Sequence, residues 1–176
     1  MLFCSTVIRK ENVMMTDDEL MQLSTEVGQQ LLKRKGTVTT AESCTGGWIA
    51  KVLTDVSGSS QWFERGFVTY SNEAKQELVG VTASSLESYG SVSEQVVREM
   101  AEGARLKAGA DFAVSVSGIA GPDGGSAEKP VGTVWFGFAV SGQETSALHQ
   151  VFSGDRQAVR RQATAWALLR LRDHFI

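Results

Sequence analysis

Short β-branched or apolar runs alternate with amphipathic stretches along most of this chain, and several of the runs pass straight into turns of small residues. Thr37-Val-Thr-Thr-Ala41, Phe63 to Tyr70 and Phe112-Ala-Val-Ser-Val116 read as strands. Between them lie helical patterns. Thr16-Asp-Asp-Glu19 forms a capping box, and Leu20, Leu23, Val27 and Leu31 then share one face of a helix ending near Lys35-Gly36. Further helices are predicted from Trp48 to Thr54, from Asn72 to Val79, from Thr82, and from Ser93. The Ser93 helix carries Glu94 and Glu99 early and Arg105 and Lys107 late, which suits the helix dipole. Thr133 to Val140 and Thr145 to Phe152 read as two strands joined by a Ser141-Gly142 turn. A last helix runs from about Asp155 to Phe175 with Val159, Ala163, Trp166 and Leu169 inward. Strands separated by helices pair in parallel, whereas a short turn makes an antiparallel pair. The order therefore predicts an α/β fold: a three-layer α/β/α sandwich on a mixed, mostly parallel sheet.

The 176 residues suit one domain, with no linker and no internal repeat. That domain is expected over 15–176. Residues 1–14 differ in character and are expected to be a disordered or non-native extension, with a second start at Met14 or Met15. No apolar run of about 18 residues occurs, so no transmembrane helix is expected. The apolar piece near the N-terminus is short and interrupted by charge, unlike a secretory signal, so a cytoplasmic location is expected. A net charge of −3 argues against a protein held to nucleic acid by phosphate contacts. Cys4, Cys44, His149 and His174 have neither disulfide-framework nor zinc-ligand spacing, so no metal is expected. The unusual number is 18 glycines against 2 prolines.

Much of that glycine lies where strands end. In Ala41-Glu-Ser-Cys-Thr-Gly-Gly47 a strand gives way to nucleophile-type side chains and two glycines open a helix. Amides at a helix start carry partial positive charge and hold an anion or oxyanion. Ser43 or Cys44 there would be partly activated. The same pattern also serves as a capping Ser or Thr with glycines for tight packing. Gly118-Ile-Ala-Gly-Pro-Asp-Gly-Gly125 follows a strand and matches neither the dinucleotide fingerprint nor the P-loop. It is either a ligand loop at a strand's carboxyl end or a flexible surface loop. In Val68-Thr-Tyr-Ser-Asn-Glu-Ala-Lys75, Lys75 is a base if burial lowers its pKa and an ordinary surface lysine otherwise. Ser126-Ala-Glu-Lys129 matches the S-x-x-K spacing but sits in a loop followed by Pro130, and it reads as coincidence, although Lys129 could still touch a phosphate. Arginines 160, 161, 170 and 172 read as a solvated helix face. Arg156 differs because it opens that helix, where a cation opposes the dipole.

Ala41-Glu-Ser-Cys-Thr-Gly-Gly47, Tyr70-Ser-Asn-Glu-Ala-Lys75, Ser117-Gly-Ile-Ala-Gly-Pro-Asp-Gly-Gly125 and Pro130-Val-Gly-Thr-Val134 together resemble the CinA C-terminal domain family, and most closely its stand-alone bacterial members. The resemblance covers about residues 15–175. It implies hydrolysis of the carboxamide of nicotinamide mononucleotide (NMN) to nicotinic acid mononucleotide and ammonia, without cofactor or metal. It implies Ser43 as nucleophile, Lys75 as general base and Tyr70 orienting or tuning Lys75. Cys44, Thr45, Gly46 and Gly47 would stabilise the oxyanion or bind substrate, as would Ser117, Gly118, Gly121 and Arg156. Family members often carry threonine where this chain has Ser117. The expected partners are a small-molecule substrate and a second copy of the chain, most simply as a dimer, with no nucleic acid and no membrane. Two alternatives remain open: a non-catalytic nucleotide-binding module of the same fold, and a thiol amidase using Cys44.

Overall fold

The computed structural model describes residues 13–176. Most of the expected extension thus lies outside the described residues. Val13, at its end, is buried against the core.

Five strands form one sheet in the order β2-β1-β3-β4-β5. They are β1 (Val38–Glu42), β2 (Phe67–Val68), β3 (Phe112–Gly118), β4 (Thr133–Val140) and β5 (Ser146–Val151). β1 pairs in parallel with β2 and β3, and β4 is antiparallel to both β3 and β5. Four strands therefore run one way and β4 alone runs back. The predicted strand from Phe63 to Tyr70 is much shorter in the structure. Phe63 makes a lone parallel bridge to Val38, and Glu64-Arg-Gly66 is exposed before pairing resumes at Phe67. An edge strand pairs on one side only, so a local excursion of this kind breaks few ladder bonds.

Helices cover both faces. α1 (Asp17–Lys33), α2 (Trp48–Thr54) and α6 (Arg156–Arg170) pack on one side over a core that includes Val27, Leu31, Ile49, Phe136 and Leu168. α3 (Asn72–Val79), α4 (Ala83–Tyr89) and α5 (Glu94–Ala108) lie on the other, over Val79, Val96, Val97, Met100 and Ala101. The predicted capping box is present: the Thr16 hydroxyl accepts from the Glu19 amide at 3.2 Å, and the Glu19 carboxylate accepts from the Thr16 amide at 3.3 Å. α6 stops at Arg170, and the last predicted turn widens into a π-helical turn over Leu171–Phe175. No helix among the described residues is long and apolar enough to cross a membrane.

One close approach seats the helix that matters below. A Cβ on Gly103 of α5 would lie 1.6 Å from the Val79 carbonyl oxygen. Only a residue without a side chain lets α5 dock onto the end of α3 there.

Candidate active site

The parallel half of the sheet ends on one edge, where α/β proteins bind ligands. β1 stops at Glu42, β2 at Val68 and β3 at Gly118. Pairing continues one residue further. The Ser43 amide donates to the Val116 carbonyl at 2.9 Å, and the Thr69 amide donates to the Glu42 carbonyl at 2.7 Å. Ser43 therefore leaves the sheet between the ends of two neighbouring strands.

Lys75 reaches the same point from α3. The Ser71 hydroxyl caps that helix, accepting from the Ala74 amide at 3.0 Å, and Lys75 follows in its first turn. Its side chain is buried, 1% exposed. Nζ lies 3.0 Å from Ser43 Oγ and donates to the Thr69 carbonyl at 2.8 Å. Burial disfavours the ammonium and holds the Lys75 pKa below the ordinary lysine range. A neutral amine at this position keeps one N–H on Thr69 and offers its lone pair to the Ser43 hydroxyl over the same separation.

A pocket of ≈ 250 Å³ opens above this pair, lined also by Cys44, Tyr70, Asn72, Ser91, Ser117, Gly118, Ala120 and Arg156. No carboxylate is among its lining residues, while Lys75 and Arg156 bring basic groups. Arg156 does open its helix, which Asp155 caps by accepting from the Ala158 amide at 2.9 Å. The guanidinium donates to the Gly121 carbonyl at 2.9 Å and to the Tyr70 hydroxyl at 3.0 Å. Ser117 Oγ donates to the Ser91 carbonyl at 2.7 Å.

Tyr70 lines the pocket, whereas several other expected positions lie elsewhere. Tyr70 is 61% exposed and its hydroxyl pairs with Arg156. The group that holds Lys75 Nζ is the carbonyl of Thr69, the residue before Tyr70. Gly121 serves Arg156 through its carbonyl and does not line the pocket. Thr45, Gly46 and Gly47 face a separate recess of ≈ 400 Å³ with Trp48, Lys51, Asp17, Arg160 and Arg161. The helix start itself is closed to a ligand. The buried Glu42 carboxylate accepts from the Thr45 hydroxyl at 2.7 Å and from the Ile49 and Ala50 amides at 2.8 and 3.0 Å. Burial pushes the Glu42 carboxyl up, and these donors oppose that rise. Cys44 stands beside Ser43, but burial pushes its thiol up to about 12. It stays protonated near neutral pH, against the expectation of an activated thiol. Among the described residues no three His, Cys, Asp or Glu converge as a metal site.

Sequence reasoning passed over Glu42, Thr69, Asn72, Ser91 and Ala120. An acid closing a β-branched strand was a usable signal for Glu42, since a buried carboxylate needs donors nearby. Thr69 acts through its backbone, so its identity carries no signal.

The model of the CinA C-terminal domain matches residues 20–175. The chain belongs to this family. The match takes in Ser43, Lys75, Ser117 and Arg156 alike. The chain is 66% identical over 162 residues to nicotinamide-nucleotide amidohydrolase PncC of Escherichia coli K12, covering 92% of this chain and 98% of that protein. It is 50% identical to the protein of the same name from Pseudomonas putida, over 86% of this chain and 94% of that one. Among solved structures, competence damage-inducible protein A of Klebsiella pneumoniae superimposes with a TM-score of 0.85 at 40% identity, over 89% of this chain and 99% of that one. The CinA fold thus accounts for nearly the whole of the described chain.

Proposed function

We propose that this CinA-domain protein hydrolyses the carboxamide of NMN, yielding nicotinic acid mononucleotide and ammonia, with Ser43 as nucleophile and Lys75 as general base. The observation that carries the chemistry is the buried Ser43–Lys75 contact at 3.0 Å beneath an open pocket. The substrate follows from the names of the E. coli and P. putida relatives. A pocket without carboxylates and with Arg156 suits a nucleotide carrying a phosphate. The reading takes the protein to act on dissolved nucleotide in the cytoplasm.

The Lys75 amine accepts the Ser43 proton as Oγ attacks the carboxamide carbon. Cys44 follows Ser43 and lines the pocket, and its amide is the donor assigned to the developing oxyanion, by analogy with the residue after the nucleophile in other serine hydrolases. The Lys75 ammonium then returns its proton to the departing nitrogen, and ammonia leaves an acyl-serine. Water, deprotonated by the same amine, attacks the acyl carbon, and the ammonium hands that proton to Ser43 Oγ as the acyl C–O bond breaks, restoring Ser43 and the amine. Each step moves one proton between Lys75 and a group in contact with Ser43, so no second acid is needed. Ser43 is favoured over Cys44 because burial holds the thiol protonated, whereas the hydroxyl has its base at 3.0 Å.

Incubation with NMN, with ammonia and nicotinic acid mononucleotide both quantified, tests the assignment. One ammonia per acid product is expected. Tight NMN binding with no ammonia released would make the protein a binding module instead.

A further inference from the structure

Arg160 sits on α6, one turn after Arg156, and lines the separate recess rather than the pocket above Ser43. Its guanidinium lies against the outer side of the turn that carries the nucleophile. Nε donates to the Cys44 carbonyl at 3.0 Å and Nη2 donates to the Thr45 carbonyl at 3.3 Å. These two carbonyls follow Ser43 directly. The ring of Trp48, which opens α2, backs the guanidinium with 5.6 Å from the guanidinium carbon to the ring centroid.

We infer that Arg160 is a positioning residue for the proposed hydrolysis: it fixes the peptide planes after Ser43 and so aims the nucleophile turn. The inference rests on the Ser43–Lys75 reading. In a trans peptide the C=O and N–H point in opposite directions. Drawing the Cys44 and Thr45 carbonyls out toward α6 therefore turns the Thr45 and Gly46 amides the other way. The Gly46 amide duly donates back to the Ser43 carbonyl at 3.0 Å, closing the turn. The opposite flank of the turn is held by Glu42 through the Thr45 hydroxyl at 2.7 Å. Thr45 is thus gripped at its carbonyl by the Arg160 guanidinium and at its side chain by the Glu42 carboxyl.

A planar guanidinium meets two successive carbonyls at once; a lysine ammonium supplies one compact charge and no fork. Arg160 also places positive charge beside the nucleophile turn from the side of the separate recess, outside the pocket above Ser43. Gly46, at φ +60°, leaves room for it, since a Cβ there would lie 3.2 Å from Arg160 Nη2. The role differs from that of Arg156, which lines the pocket and bonds to Tyr70 and Gly121.

The test compares wild type, Arg160→Ala, Arg160→Lys and Ser43→Ala for NMN turnover, with melting temperature and guanidinium rescue measured on each. A positioning role predicts that Arg160→Ala lowers kcat roughly 10- to 100-fold with KM held within about three-fold. Added guanidinium should restore part of that kcat, and Arg160→Lys should stay folded yet fall well below wild type. A kcat within about three-fold of wild type in both variants overturns the inference. So does a rise in KM at unchanged kcat, which would make Arg160 a substrate contact, or a kcat loss without rescue that follows the melting temperature. Failure of the underlying reading looks different: wild type itself would release no ammonia, or Ser43→Ala would match it. In that case the rate of Ser43 sulfonylation by phenylmethylsulfonyl fluoride reports the aim of the turn, and an unchanged rate in Arg160→Lys again overturns the inference.

Discussion

Ser126 and Lys129 stand three residues apart in a recognised nucleophile–lysine spacing, whereas Ser43 and Lys75 are separated by 32 residues. In the fold, the distant pair is the one in contact. Lys75 is buried with Nζ 3.0 Å from Ser43 Oγ. Lys129 turns its Nζ away to the Tyr89 carbonyl at 2.9 Å, and Ser126 Oγ accepts the Lys129 backbone amide at 3.0 Å. The near pair closes a loop; the far pair sits under a pocket. What separates them is desolvation and strand order rather than spacing. S-x-x-K brings its two side chains together on a helix, and residues 126–129 form none.

Five measurements sharpen or break this contrast. Ser43→Ala should abolish NMN turnover, with kcat down on the order of 10⁴-fold or more. Ser126→Ala should stay within about two-fold by the same ammonia assay. Equal losses in the two variants would erase the distinction.

Lys75→Met should lower kcat by about 10²- to 10⁴-fold, the range for general-base removal, while Lys129→Met stays within a few-fold. The same variant carries a stability signature. Burial lowers the folded pKa of Lys75 below its unfolded value. Between those two values the unfolded chain binds more protons, so wild-type stability climbs as pH rises through that window. Below the folded pKa the full penalty is present. Lys75→Met should therefore melt above wild type at neutral pH, with the gap narrowing toward about pH 10. Thermal melts across pH read this directly.

The pH dependence of kcat/KM gives a smaller but cleaner signal. Activity should rise with pH along one limb, as the Lys75 ammonium loses its proton, and level off below the ordinary lysine range. A limb at the free-lysine value of about 10.4 would mean that Lys75 is not desolvated in solution.

The mildest effect concerns the seat of Lys75. Gly103→Ala should destabilise the protein by about 1–3 kcal/mol, because the added methyl meets the Val79 carbonyl where α5 docks on α3. Gly142→Ala, in the Ser141-Gly142 turn with nothing within 4 Å of its Cβ, carries only the strain of φ +77° and is the control. Denaturant melts separate the two.

The layers of the fold were legible because local chemistry writes them. The capping box at Thr16, the helix opened by Ser93, and the apolar faces of α1 and α6 appear where the sequence puts them. The helix Asn72–Val79 and the strand Thr133–Val140 match their predicted limits. The site was legible in part. Ser43 stood just past one predicted strand and Lys75 on the short helix after another, yet nothing local says that β1 and β2 are neighbours. The turn at 41–47 misled in one respect: its helix start suggested free amides, but Glu42 occupies them. Arg160 was invisible because its partners lie 116 and 115 residues away and its own helix face looks solvated. Tyr70 lines the same pocket as Ser43 and Lys75, and its hydroxyl bonds to Arg156 across it.

Rapid acid quench of the protein with NMN, followed by peptide mass spectrometry, tests the role of Ser43 most directly. The expected result is an acyl adduct, NMN less ammonia, on the peptide containing Ser43, mapped by fragmentation to that residue. The adduct should be absent from Ser43→Ala and should accumulate in no variant that lacks Lys75. An adduct on Cys44, or undiminished ammonia release by Ser43→Ala, would contradict the serine–lysine mechanism.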